Sequence, residues 1–280
     1  SRRVAELRLG PDAARYWLAG QGARVCAPFN LRWLLPAVCR NEVRRWWIVW
    51  FASWPLLAAG AVFWAHAMGA DWWAALAAAA FLVALPGVWG PVSVRPVGVD
   101  LPAMALSIWA AGFWVHGWWG PALVALALAT YVKEVSPIWV ALWAWALWPL
   151  AALVIPLVTW FVIRPQLDEV TKSNPTLLRV HEHPIRSSLE HHRGQWRNAW
   201  FMVAPWGVCL AALYRPSVQV IVALVFAYGL LLVVTDTVRI YQCAAGPVVA
   251  LAAAQVIPPQ WLLLAVAVHV VWWRDQVVTG

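Results

Sequence analysis

Apolar runs fill most of the chain after residue 46, and short polar breaks divide them into ten segments. These are 46–66, 72–90, 101–118, 121–133, 136–148, 150–163, 199–214, 217–235, 242–257 and 260–273. Such runs predict helices that are apolar on most of their surface. A backbone withdrawn from water must satisfy its own N–H and C=O groups, and a helix does so within one segment. The expected fold class is all-α, a polytopic transmembrane helical bundle of about ten membrane segments. Several segments fall short of the ~20 residues that a straight span needs. The stretch "PIWVALWAWALWPLAALVIPLVTWFVIRP" either breaks near Pro149, where the ring removes a helix hydrogen bond, or runs on as one kinked helix. Breaking it gives the count of ten. No internal repeat interrupts the pattern.

Two polar stretches stand apart from the apolar runs and divide the chain into four parts. Residues 1–45 form an interfacial region of loops and amphipathic helices, 46–163 a transmembrane core, 164–198 a polar loop placed over a cavity, and 199–280 the C-terminal transmembrane helices. "SRRVAELRLG" lacks the apolar centre of a signal peptide and reads as a short amphipathic segment on the membrane surface.

Composition removes the soluble alternative. Hydrophobic residues make up 63% and charged residues 11%, with a mean hydropathy of +0.68, against about 25% charged residues in a soluble domain. The 25 Trp residues suit headgroup depth, although "WVALWAWALW" also places several in mid-span, where they fill a core or face lipid. The four Cys residues show no metal-binding spacing. Cys26 and Cys39 are able to pair in an oxidising compartment.

Charge sorts by side. If each segment reverses the direction of the chain, residues 1–45, Asp100, "YVKEVSP", 164–198 and "TDTVR" share one face. That face receives 19 of the 20 Lys and Arg residues and 11 of the 12 Asp and Glu residues, a net +8 (19 minus 11). The exceptions are Asp71 and Arg215. Charges this close to hydrocarbon are costly and tend to mark a pathway or a site. A basic cavity at headgroup level fits an anionic ligand with an apolar tail, such as a lipid phosphate. Nothing in the pattern points to nucleic acid, and oligomeric state is left open.

Four stretches carry candidate chemistry. In "PDAARYWLAGQG", Asp12 either caps a helix N-terminus or serves as a general base toward an acceptor hydroxyl. Arg15, Arg24 and Arg32 stand near enough in sequence to keep it ionised. In "LALATYVKEVSPIW", Lys133 either snorkels to the interface with Glu134 as its counter-charge or meets a phosphate as a point charge. In "TDTVRIYQCAAGPVV", Asp236 and Arg239 are i, i+3 neighbours, able to pair with each other or to bind phosphate oxygens through the arginine. In "RVHEHPIRSSLEHHRGQWRN", His181 and His183 form the alternative of a metal site. A solvated amphipathic helix over the cavity is the other reading of that stretch.

In this order, the pieces resemble the GT-C superfamily of integral-membrane glycosyltransferases, which use polyprenyl-phosphate sugars. "PDAARYWLAGQGARVCAPFNLRWLLP" is similar to the family's first catalytic loop: an Asp, a following Tyr, a small-residue segment, then Pro-x-x-x-Arg and Pro. "RPVGVDLPAMALSIWAA" resembles the second Asp that opens a later helix. "LVALALATYVKEVSPIW" resembles the small-residue helix ending at a Lys, and "TDTVRIYQCAAGPVVALAAA" the later Arg segment followed by Pro. The resemblance spans about residues 10–255. It implies Asp12 as the catalytic carboxylate, with Asp100, Arg32 and Tyr16 on the cavity or acceptor side and Lys133, Arg239 and Asp236 on the donor phosphate. It further implies a membrane lipid donor, a protein or glycan acceptor, and neither metal nor other cofactor. The chain departs from the family in lacking an apolar helix before the first loop. With the chain starting at Ser1, the site face is expected to be cytoplasmic; with a preceding helix it is extracytoplasmic. The rival classes are a transporter or flippase, and a non-catalytic binder of an anionic polyprenyl lipid.

Overall fold

The computed structural model describes residues 11–25, 29, 31–88, 97–154, 158, 172, 178–179, 182–196, 203–214, 217–232 and 238–273. Those residues form helices and contain no strand. Two short helices come first, α1 (Pro11–Gly20) and α2 (Leu34–Cys39). The longest helix, α3 (Val43–Ala67), is followed by α4 (Trp72–Ala84), α5 (Asp100–Val115), α6 (Trp119–Val132) and α7 (Ser136–Ala144). A 3-10 segment, Trp148–Leu153, leads to α8 (Pro184–Trp196) and a second 3-10 segment, Ala204–Leu213. The chain closes with α9 (Val218–Leu230), α10 (Val238–Val256) and α11 (Pro259–Trp273).

Among the described residues, α3 is the one helix long and apolar enough to cross a membrane. Shorter apolar helices occupy Trp72–Ala84, Asp100–Val115, Trp119–Val132, Val218–Leu230 and Gln242–Val256. The starts of α4, α5, α6, α7, α9 and α11 fall within two residues of the expected segments. The segments 72–90 and 217–235 end early, at Ala84 and Leu230, and 150–163 and 199–214 are described only as the short 3-10 segments Trp148–Leu153 and Ala204–Leu213. The run after Ser136 is not one kinked helix but breaks shortly before Pro149, and a 3-10 segment restarts at Trp148. The helix ends at Trp145, which adopts a left-handed conformation (φ 51°, ψ 39°). Such a backbone is rare for a residue with a side chain, and it stops the helix four residues before the proline.

Alternating helices pack side by side. α5 lies between α3 and α6 and also touches α7, while α4 lies against α3, α10 and α11. Small residues set the closest approaches. A Cβ on Gly60 would lie 2.9 Å from the Trp109 ring, and one on Gly112 only 2.5 Å from Phe63. The two glycines thus let α3 and α5 come together, the small-residue packing expected of apolar helices. α10 is fixed by a buried side chain: Gln242 donates to the carbonyl of Pro205 (2.7 Å) and accepts from the Gly87 amide (2.6 Å).

The apolar interior has two parts. The larger is built from α3–α7, the two 3-10 segments and α9–α11. The smaller gathers Tyr16, Trp17, Phe29, Leu35 and Trp46 with Val97, Val99, Ala103 and Val132. This second core joins residues 13–46 to the start of α5 and the end of α6. The end of the bundle that it covers is where the charged residues collect.

Candidate functional site

Helix direction decides which residues meet. α5 and α6 are antiparallel neighbours, so Asp100, the first residue of α5, lies beside Lys133, the residue that ends α6. The Lys133 ammonium donates to Asp100 Oδ1. Arg239, in the first turn of α10, donates from Nη1 to Asp100 Oδ2 at 3.3 Å. Its Nη2 lies 3.7 Å from Asp12 Oδ2. Asp12 also stands 3.5 Å from Arg15 Nη1. Asp12, Asp100, Lys133 and Arg239, from four separate helix ends, therefore converge on one site.

Helix dipoles explain part of this arrangement. Asp12 and Asp100 sit in the first turns of α1 and α5, where a negative charge is favoured, and Lys133 follows the last turn of α6, where a positive one is. Arg239, the second described residue of α10, faces two carboxylates, Asp12 and Asp100.

A second ion pair adjoins the first. Arg32 donates from Nε and Nη2 to both oxygens of Glu134, each at 2.7 Å, and from Nη1 to the Tyr16 hydroxyl at 2.8 Å. The guanidinium also lies over the Phe29 ring, 5.6 Å from its centroid, while Arg15 stands 4.7 Å from the same ring. Lys133 has an extended backbone (φ −154°, ψ 113°). Successive side chains of extended backbone point in opposite directions, so Lys133 reaches Asp100 while Glu134 turns to Arg32. The direct ion pair of Lys133 is with Asp100, while its charge also helps keep Glu134 ionised.

Burial controls protonation in this second pair. Burial pushes the Tyr16 phenol well above its ordinary value, outweighing the nearby Arg32 charge. Burial alone would raise the Glu134 carboxyl too, but the Arg32 guanidinium overrides it and holds Glu134 below the ordinary value. Tyr16 is therefore a neutral phenol that accepts from Arg32 and keeps its own proton to donate. It is no base.

Exposure separates the carboxylates. The Asp100 side chain is 10% exposed and that of Asp12 49%. Asp12 is the carboxylate more open to solvent. It is not a helix cap, because α1 begins at Pro11 and Asp12 lies inside the first turn, a position where the fixed φ of proline suits the residue before it. Arg24 is exposed and Arg32 is committed to Glu134. Arg15 and Arg239 both stand beside Asp12. Glu134 and Phe29 as site-forming residues were not legible from motifs; the one signal was the Lys-Glu dipeptide at a helix end.

Other candidates are placed less fully. Asp236, His181 and Cys26 lie outside the described residues. His183 is exposed just before α8, and among the described residues no three His, Cys, Asp or Glu side chains gather as a metal site. α8 carries its own ion pairs, from Arg179 and Arg186 to Glu190 at 2.5 and 3.0 Å. No protein family, no curated protein and no solved structure matches this chain.

Proposed function

We propose that this chain is a multi-pass membrane glycosyltransferase of the GT-C type, with about ten membrane segments, that moves a sugar from a polyprenyl phosphate to an acceptor hydroxyl. The observation that carries the reading is the placement of Arg239. It bridges a half-exposed carboxylate, Asp12, and a buried one, Asp100, which also holds Lys133. A candidate base and two candidate phosphate ligands thus share one site. The membrane part of the reading is supported by the outer faces of the helices, where Phe51, Leu56, Leu76, Val124, Val225 and Leu264 are exposed. No cofactor and no metal is assigned a role.

In this mechanism Asp12 accepts the proton of the acceptor hydroxyl. The acceptor oxygen attacks the anomeric carbon from the side opposite the phosphate, a bond forms there, and the carbon–oxygen bond to the phosphate breaks. The electron pair stays on the phosphate oxygen, so the configuration inverts and the lipid phosphate leaves. Lys133 and Arg239 stabilise the charge that grows on it; preorganised charge of this kind is often the largest catalytic contribution. Asp100 holds both cations in place between turnovers. Arg32 and Tyr16 border the acceptor side.

One observation favours a second reading. Lys133 and Arg239 already have carboxylate partners, as they would in a structural clamp or in a non-catalytic binder of the same lipid. Transfer and binding are separable with a radiolabelled polyprenyl-phosphate hexose. Asp12→Asn lowers transfer by about 10²–10⁴-fold, the usual contribution of a general base, and leaves donor binding intact. Undetectable transfer by the wild-type chain, with binding that still depends on Lys133 and Arg239, supports the binder instead.

A further inference from the structure

The end of the bundle opposite the charged site is ringed by aromatic side chains. Trp72 and Trp73 open α4, Trp118 and Trp119 stand at the start of α6, and Trp261 lies in the first turn of α11. Each is more than half exposed, from 52% for Trp118 to 69% for Trp73. Contacts tie several of them to one level. His66 stacks on Trp72 with centroids 4.6 Å apart, Trp114 lies 4.2 Å from Trp119 and 4.4 Å from Trp148, and Phe113 stacks on Trp118. Trp73 faces the start of α11 across a shallow cleft lined by Pro259 and Leu263.

Among the described residues, charge is nearly absent from this end. Asp71 is turned to a local task, accepting from the amides of Trp73 and Ala74 at 2.8 and 2.9 Å as the cap of α4. At the site end the exposed tryptophans among the described residues are Trp33 and Trp47, both less open than those of the far ring. A collar of rings, each with an apolar body and one N–H, fits the headgroup boundary of a bilayer.

Helix length then fixes the depth of the site. α5 has 16 residues and α6 has 14, which at 1.5 Å per residue gives about 24 and 21 Å. The hydrocarbon layer is about 30 Å thick. With the collar at one boundary, Asp100 and Lys133 stop roughly 6–9 Å short of the other, and tilt only shortens their reach. We infer that the tryptophan collar seats the protein in the headgroup zone of the leaflet opposite the site, and that the charged cluster lies inside the nominal hydrocarbon of the facing leaflet. This explains two features together. The charges are paired with one another, since an unpaired charge at this depth is costly. The second apolar core of residues 13–46 lies over them on the side of the missing thickness.

The inference rests on the membrane part of the proposed function and is independent of catalysis. It is tested on the full chain in vesicles of phosphatidylcholine and phosphatidylglycerol, three to one. α6 offers two positions for single cysteines in a cysteine-free background: Gly120, where a Cβ meets nothing within 4 Å, and Leu128, which is exposed. Nitroxide labels there are read by power saturation against oxygen and a water-soluble nickel chelate. The collar predicts a Gly120 label at the interface and a Leu128 label about 12 Å deeper, eight residues along the helix. Two labels at similar depth, with Gly120 well inside the hydrocarbon, overturn the seating. A chain that does not float with the vesicles overturns the membrane reading as well, and the two failures are distinct. The native chain gives a second readout, in which a lipid with a headgroup diazirine labels Trp118 and Trp119 while an upper-chain diazirine labels the Lys133–Ser136 turn. The reverse assignment contradicts the inference.

Discussion

Two carboxylates, Asp12 and Asp100, face the Arg239 guanidinium. A phosphate competing for this guanidinium gains charge-assisted hydrogen bonds, each worth about 1.5–3 kcal/mol. Arg239→Ala is therefore expected to weaken polyprenyl-phosphate binding by that amount, measured by native mass spectrometry or calorimetry, and Arg239→Lys to restore it only in part, because a lysine cannot make two parallel contacts. Unchanged binding would make Arg239 a structural partner of Asp100. The Arg32–Glu134 pair is mostly buried, with side chains 13% and 18% exposed. Removing one member of such a pair leaves the other charged and unpaired, so Arg32→Ala should cost about 3 kcal/mol or more in denaturant unfolding. Its pH dependence has a definite sign. Glu134 titrates below its ordinary value when folded, so its contribution is full above that value, about 4.3, and is lost as the pH falls through the lowered one. Unfolding followed between pH 3 and 6 should show an acid limb that Glu134→Gln flattens. At this scale the motifs named Asp12, Asp100, Lys133 and Arg239, with Arg15 beside Asp12, but not which of them pair. Sequence spacing carries no trace of a pair 102 positions apart such as Arg32 and Glu134.

Segment positions were legible at the scale of elements because apolar runs and polar breaks follow the same physics as helix ends. Asp71 and Ser217 illustrate it, each accepting from an amide of the helix it opens. The break before Pro149 was legible from the proline, but its position at Trp145 was not. Proline marks a helix end by its chemistry, whereas nothing in the chemistry of a tryptophan marks a left-handed backbone. Close approach was equally hidden, since glycines at tight and open places look alike in sequence. Gly112→Ala should destabilise by about 1–3 kcal/mol, the usual cost of overpacking, because its Cβ would meet Phe63 at 2.5 Å. Gly120→Ala, also in a helix but with open space around it, should be neutral or stabilise by about 0.5–1 kcal/mol. Thermal unfolding of the two variants in one detergent compares them. Equal effects would show that α3 and α5 do not pack through Gly112.

Among the described residues the two ends are chemically unlike, one rich in charge and one rich in exposed aromatic rings. Counting segments anticipated this asymmetry, because each helix carries the chain to the opposite end. The positive-inside rule, which weighs Lys and Arg near segment ends, favours a cytoplasmic site face, and surface labelling is its test. Cys39 is unsuited to that test: it is fully buried, and burial, partly offset by Arg45, pushes its thiol up to about 11, so it stays protonated and unreactive. Gln21 is exposed at the same end. In intact cells a membrane-impermeant maleimide should leave Gln21→Cys unmodified until the membrane is opened; labelling beforehand would put the site outside.

The central claim is that Lys133 and Arg239 receive a lipid phosphate beside Asp12. Electron cryo-microscopy of the full chain with undecaprenyl phosphate in nanodiscs tests it most directly. Phosphate density is expected within about 4 Å of both the Lys133 ammonium and the Arg239 guanidinium, the range of a salt bridge, with its tail running into the bilayer and Asp12 facing the space in front of it. Density bound elsewhere, with Lys133 and Arg239 still closed on Asp100, would contradict it.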